Sequence, residues 1–200
     1  MSGPDPGRLA EIARRIPRYS TTVGQTLFRI HRAHKSAVYF SRNTTGRFDP
    51  PLTSGTEFGT CYFGVERLTA YVEVFGRTNP ISQTLIAERS LSEVRIARPL
   101  LIADLTDRKL LGGLGAIPEV SVGPDYSDSR QLAAELVENS FDGIRYYARH
   151  DPGFRLISVA LFSSAKSGLS ADRPIPIPDD LIAEAEREFG LIVLPEAPLE

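Results

Sequence analysis

One cysteine, Cys61, stands in a chain of 200 residues, and a lone cysteine excludes an intrachain disulfide. A reducing compartment is the natural expectation. No apolar run reaches the roughly 18 residues that a bilayer-spanning helix needs. The N-terminus, MSGPDPGRLAEIARRIPR, carries no apolar segment of the secretory type. The cytoplasm is therefore the expected location, with no membrane role. Strong charge is missing too: the net charge is -2, which argues against direct nucleic-acid binding.

Several chemical signatures are also absent. His31, His34 and His150 have no metal-ligand partners at useful spacing, so no metal is expected. Gly112-Gly113-Leu114-Gly115 lacks the Lys-Ser or Lys-Thr of a phosphate loop and reads as a turn. No Gly-x-Ser-x-Gly elbow occurs. Cys61 has no nearby histidine and reads as a small buried hydrophobe rather than a nucleophile.

What is present suits a folded α+β protein. The chain is 42% hydrophobic and 24% charged, and long enough for one full core. Residues 1–20 read as an N-terminal extension, Gly- and Pro-rich at first and then a short basic amphipathic helix, 8–16, that Pro17 ends. Residues 21–200 read as the domain. Strands are expected at 25–32, 60–63, 91–97, 100–105, 141–147, 154–162 and 191–194. Helices are expected at 65–75, 80–89, 127–138 and 179–189, with a short one after Thr106 and Asp107. Pro80 should sit in the first turn of its helix. Ser127 or Asp128, and Asp179 or Asp180, are the expected caps. Asp151-Pro152-Gly153 marks a turn, so 141–147 and 154–162 should pair as an antiparallel hairpin. A connector, 163–178, should cross the surface. No regular β-α-β alternation appears, which favours a single split or curved mixed sheet with helices around it.

The irregular stretch between 33 and 59 is long, and such loops tend to carry binding groups. It contains Asn43-Thr44-Thr45-Gly46-Arg47-Phe48 and, further on, Ser54-Gly55. The stretch that follows, Gly59 to Arg77, places Tyr62 on a strand and Glu73 on a helix. Leu68, Val72 and Phe75 share one helix face, and Ala70, Tyr71 and Val74 widen it. Glu73, Glu66 and Thr69 occupy the remaining arc, where Glu73 faces either solvent or a polar cleft. Arg29 and Arg47 are planar cations that pair with phosphate oxygens by two bonds. Tyr62 offers a flat face for a ring or a cation. Glu73 is able to stabilise an oxocarbenium-like transition state, as glycosidase carboxylates do. The nicotinamide of NAD is both a ring and a cation. On spacing alone, a surface arginine, a core tyrosine and a solvated glutamate remain the simpler account.

The order of the pieces adds to this. LFRIHR, GRF, CYFGVERLTAYVEVFGR, DGIRYYARHDP and LISVALF, in that sequence from about Leu27 to Leu194, resemble the RES domain family. That family takes its name from an Arg, a Glu and a Ser and supplies the toxin of many bacterial toxin–antitoxin pairs. The resemblance implies a fold like that of ADP-ribosyltransferases. It implies NAD as substrate, with no cofactor beyond it, cleaved between nicotinamide and ribose by hydrolysis or phosphorolysis. Protein ADP-ribosylation and a non-catalytic nucleotide- or protein-binding module are the alternatives. The implied partner is an antitoxin with a helix-turn-helix domain that covers the site. Carried over residue by residue, the motifs fall on Gly46-Arg47, on Tyr62, on Ala70 and Glu73, and on the early Arg29. Glu73, Arg47 and Tyr62 are then the catalytic candidates, and Arg29, Arg47 and Tyr62 the NAD-binding ones. One departure stands out: in Tyr146-Tyr147-Ala148-Arg149, Ala148 occupies the place of the family serine. Ser140 and Ser158 lie near in sequence, but neither is in register with that motif.

Overall fold

The computed structural model describes residues 6–52, 57–107, 109, 112 and 125–194. The first five residues, Ser54-Gly55, and most of the expected 107–115 helix and glycine turn lie outside that set. Five α-helices are described: α1 (Pro6–Arg15), α2 (Arg67–Phe75), α3 (Gln83–Ala87), α4 (Ser127–Glu138) and α5 (Asp179–Phe189). The strands are β1 (Arg18–Ser20), β2 (Thr26–Arg32), β3 (Thr60–Gly64), β4 (Ile81–Ser82), β5 (Arg89–Ile96), β6 (Leu101–Asp104), β7 (Gly143–Tyr147), β8 (Ile157–Phe162), β9 (Leu169–Ala171), β10 (Ile175–Pro176) and β11 (Val193–Leu194).

The fold is α+β, as expected. A mixed sheet runs in the order β1-β6-β7-β8-β3-β2-β5-β10, with β9 also on β5, and β4 pairs separately with β11. Within the main sheet β6 and β7 are parallel and the other neighbours antiparallel. The β7–β8 hairpin is the antiparallel pair that the turn signal implies. β2 follows β5 residue for residue from Thr26 to Arg32, but meets β3 at the single pair Phe28–Gly64. The sheet is therefore split between β2 and β3.

Side-chain alternation decides how the two faces are covered. Leu27, Cys61, Phe63, Val94, Val159 and Leu161 build the core of one face. On the other face two helix pairs sit side by side. Helices α1 and α4 cover the β6-β7-β8 half through Leu9, Ile12, Leu132, Leu136, Ile144 and Phe162. Helices α2 and α5 cover the β2-β5 half through Leu68, Val72, Phe75, Ile30, Leu91 and Leu181. The segment read as an N-terminal extension thus contributes a core helix, α1, and an edge strand, β1, paired with β6.

Five local expectations change. The 80–89 helix is shorter: Ile81 and Ser82 pair with β11, and the Ser82 hydroxyl accepts from the Leu85 N–H to open α3. Ser127 and Asp128 are not the cap of α4. Tyr126 occupies that position, and Asp125 accepts from the Ser127 N–H at 2.9 Å. Pro178, with no side-chain donor or acceptor, holds the cap position of α5 that Asp179 or Asp180 was expected to fill. On α2 the polar arc differs from the expected one: Thr69 is fully buried while Val74 reaches solvent. The 163–178 connector is also partly regular: it supplies a short 3-10 helix, Ser163–Gly168, and strands β9 and β10 on β5.

Candidate active site

A cleft of about 390 Å³ opens between the two helix pairs, above the split in the sheet. Its size falls in the range of ligand pockets. Tyr62 from β3, Glu73 and Val74 from α2, Gly46 and Arg47 from the loop, Arg77, Tyr126, Tyr146, Arg149 and His150 all line it.

Glu73 settles between its two open readings on the cleft side. Its Oε1 accepts from the Ser158 hydroxyl at 3.1 Å and from the Arg149 N–H at 3.2 Å. Burial pushes its carboxyl above the ordinary value, against the pull of those two donors and of the Arg47 and Arg77 charges. The helix that carries it lies unusually close to the sheet because β3 ends in Gly64. A Cβ at Gly64 would fall 2.5 Å from the Ala70 nitrogen and 2.7 Å from the Glu66 carbonyl oxygen, both backbone atoms of the α2 region. Gly64 and Ser158 face each other across the β3–β8 ladder, so this close approach sets Glu73 directly over Ser158. Gly64→Ala is expected to lift α2, cost about 1–3 kcal/mol of stability and separate Glu73 from Ser158. Denaturant melting shows the first effect and loss of activity the second.

Arg47 is 6% exposed, and its guanidinium stands 4.6 Å from the Tyr126 ring centroid. The turn that holds it is built on Asp49, which lies outside the motif positions. Asp49 accepts from the Gly46 N–H at 2.6 Å and from the Tyr62 hydroxyl at 2.8 Å. The Tyr62 hydroxyl in turn accepts from the Phe48 N–H at 2.9 Å. Gly46 is required here, since a Cβ would meet the Tyr62 hydroxyl and lie 2.7 Å from Asp49 Oδ1. Arg130 closes the turn by donating to the Gly46 carbonyl at 3.0 Å. Burial raises the Asp49 carboxyl and, with the Asp49 charge beside it, the Tyr62 phenol.

Arg29 is placed differently. It lines the cleft where β2 and β3 part, but alternation sends its side chain to the sheet face opposite Tyr62. Its guanidinium donates to the Ala37 carbonyl and lies 6.0 Å from the Phe63 ring centroid. The structure brings Arg47, Tyr62 and Glu73 together and leaves the Arg29 charge outside that group.

Arg77 and Arg149 add two further cations to the cleft lining. Both donate to the Tyr126 hydroxyl, Arg77 at 2.9 Å. Burial alone would raise the Tyr126 phenol, but the Arg77 bond and the Arg149, Arg47 and Arg77 charges outweigh it and hold it below its ordinary value. Arg77 also donates to His150 at 3.2 Å, and burial, then the two neighbouring arginines, lower that imidazole. Arginines thus outnumber carboxylates in the cleft, which favours an anionic ligand. No group of His, Cys, Asp and Glu able to hold a metal occurs among the described residues. None of their helices is long and apolar enough to cross a membrane.

The family model described as RES domain matches residues 26–183. A chain of the crystal structure of the M. tuberculosis MbcT–MbcA toxin–antitoxin complex superposes with a TM-score of 0.69 at 17% identity. The match covers 90% of this chain and 97% of that one. At that identity the likeness concerns the fold. No curated protein matches the sequence.

Proposed function

The chain belongs to the RES domain family, and from that membership we propose that it is a toxin-like enzyme that cleaves NAD between nicotinamide and ribose. One observation carries the reading. Glu73 is a carboxylate drawn into a cleft, held by two hydrogen bonds, and surrounded by cations that suit a diphosphate. Arg77 and Arg149 take the diphosphate, and Arg47 holds a further diphosphate or ribose oxygen. Tyr62, its hydroxyl fixed by Asp49 and Phe48, stacks its ring on nicotinamide. The C1′–N bond breaks with its electron pair going to nicotinamide, which leaves neutral. The ionised Glu73 stabilises the positive charge left on the ribose. Water or phosphate then adds at C1′, and a proton from the attacking group passes to Glu73 or to solvent. Arg29 anchors the loop after β2 through Ala37.

The reaction needs Glu73 ionised, and burial raises its carboxyl. Activity is therefore expected to fall on acidification at a pH above the ordinary carboxylate range of about 4.3. A pH–rate profile checks this; an acid limb at or below that range contradicts it.

NAD labelled in its adenylate half sorts the acceptors. Label in free ADP-ribose identifies hydrolysis, label in its 1-phosphate only in phosphate buffer identifies phosphorolysis, and label retained on a protein band identifies ADP-ribosyl transfer. The same reading assigns the cytoplasm, where NAD is available, as the site of action. An antitoxin protein with a helix-turn-helix domain is the proposed partner, seated over the cleft, in keeping with the toxin–antitoxin complex that shares the fold.

A further inference from the structure

We propose that Ser158, on β8, holds the Glu73 carboxylate in the cleft as a positioning residue. The inference rests on reading Glu73 as the acting carboxylate.

Ser158 is wholly buried and sits in the ladder between Gly64 on one side and Tyr146 on the other. Gly64 lets α2 come down onto it, so its Oγ reaches Glu73 Oε1 at 3.1 Å. Tyr146 stands opposite Ser158 in the β7–β8 ladder, and its phenol lies within electrostatic reach of both Ser158 and Glu73. A serine hydroxyl has one proton to give. Donated to the carboxylate, it fixes one oxygen of Glu73 toward the sheet. The ring of Tyr146 is itself fixed, 4.9 Å from Phe48 in an edge contact, just past the Arg47 turn. Ser158, paired with Tyr146 in the ladder, thus ties the carboxylate to the sheet.

Ala148 has no such relation. It is 2% exposed and belongs to the apolar cluster of α2 and α5 with Val72, Phe75 and Leu156. Its N–H is committed to the Leu156 carbonyl. The carboxylate therefore already has a hydroxyl donor, supplied across the hairpin rather than along the motif strand.

Two readouts test this, nicotinamide release and an NMR titration of the Glu73 carboxyl in the unliganded protein. Ser158→Ala should shift the Glu73 titration upward and lower the rate about 10- to 100-fold, the worth of one hydrogen bond to a charged group. The acid limb of the rate profile should move up with it. Ser158→Thr, which keeps the hydroxyl on a strand that accepts β-branching, should restore both toward the wild type. Ala148→Ser should leave both as they are. An unmoved Glu73 titration in Ser158→Ala overturns the proposal. So does a large gain in rate from Ala148→Ser beside a silent Ser158→Ala. Glu73→Gln separates the layers: if that variant keeps the full rate, the reaction reading fails, while the titration still decides whether Ser158 holds Glu73.

Discussion

Glu73→Gln is expected to lose nicotinamide release by a factor on the order of 10³ or more and yet to melt at a higher temperature at pH 7. The first effect follows from chemistry: an amide keeps the shape and accepts the same two hydrogen bonds but carries no charge to oppose the oxocarbenium ion. The second follows from burial. The Glu73 carboxyl is raised in the folded protein because desolvation, the largest influence on it, disfavours its charged form. A carboxyl with a folded pKa above its unfolded value costs stability wherever both states are ionised, that is, above the folded pKa. The cost declines as pH falls through that value and is gone below the unfolded one. Glutamine removes it. In a domain of this size the melting temperature rises by about 2–4 °C for each kcal/mol relieved. Calorimetry at neutral and acid pH measures the difference, which should shrink toward low pH. A variant that is inactive and less stable at pH 7 would mean that Glu73 is a structural anchor for Arg149 and Ser158.

Arg47→Ala is expected to lower kcat/KM about 100-fold, with the larger part of the loss in KM. Arg47 is buried where the loop, β3 and the start of α4 meet, its guanidinium over the Tyr126 ring. A cation kept this far from water interacts strongly with a diphosphate or a ribose oxygen, and that interaction exists already in the bound substrate. A smaller loss in kcat should follow, because the Arg47 charge helps hold the Glu73 carboxyl down against burial. Arg47→Lys should recover only part of the binding, since an ammonium lacks the planar fork. Steady-state kinetics decide between accounts. A loss confined to kcat would instead mean that Arg47 acts only by keeping Glu73 ionised and leaves ligand binding to Arg77 and Arg149.

Much of this site was legible in the sequence for local reasons. Glycine and arginine in a turn, a tyrosine on a strand and a glutamate eleven residues later on the next helix are short-range features, and the structure gathers Arg47, Tyr62 and Glu73 around one cleft. The helix at 127–138 and the hairpin of β7 and β8 were legible because their periodicity and turn chemistry are contained in their own residues. What escaped depends on register. Ser158 lies out of step with the motif in sequence, yet it faces Gly64 across one ladder and Tyr146 across the other, which no count along the chain reveals. Tyr126 and Arg77 come together from the start of one helix and the end of another, 49 residues apart. Arg29 failed to join the group for the complementary reason: one step along β2 turns a side chain to the other face. Thr69 is buried because it packs onto Gly64, where a Cβ would lie 2.8 Å from the Thr69 Cβ, a contact across elements that apolar spacing along α2 does not contain.

The most direct test of the central claim is a time course of nicotinamide released from NAD by the purified wild-type chain, with ADP-ribose or its 1-phosphate counted beside it. Breakage of one bond at the Glu73 cleft predicts nicotinamide well above the uncatalysed blank, with each molecule matched by one ADP-ribosyl product, free, phosphorylated or protein-bound. Release no faster than the blank, from a folded protein that still binds NAD, would contradict it and leave the cleft a binding site.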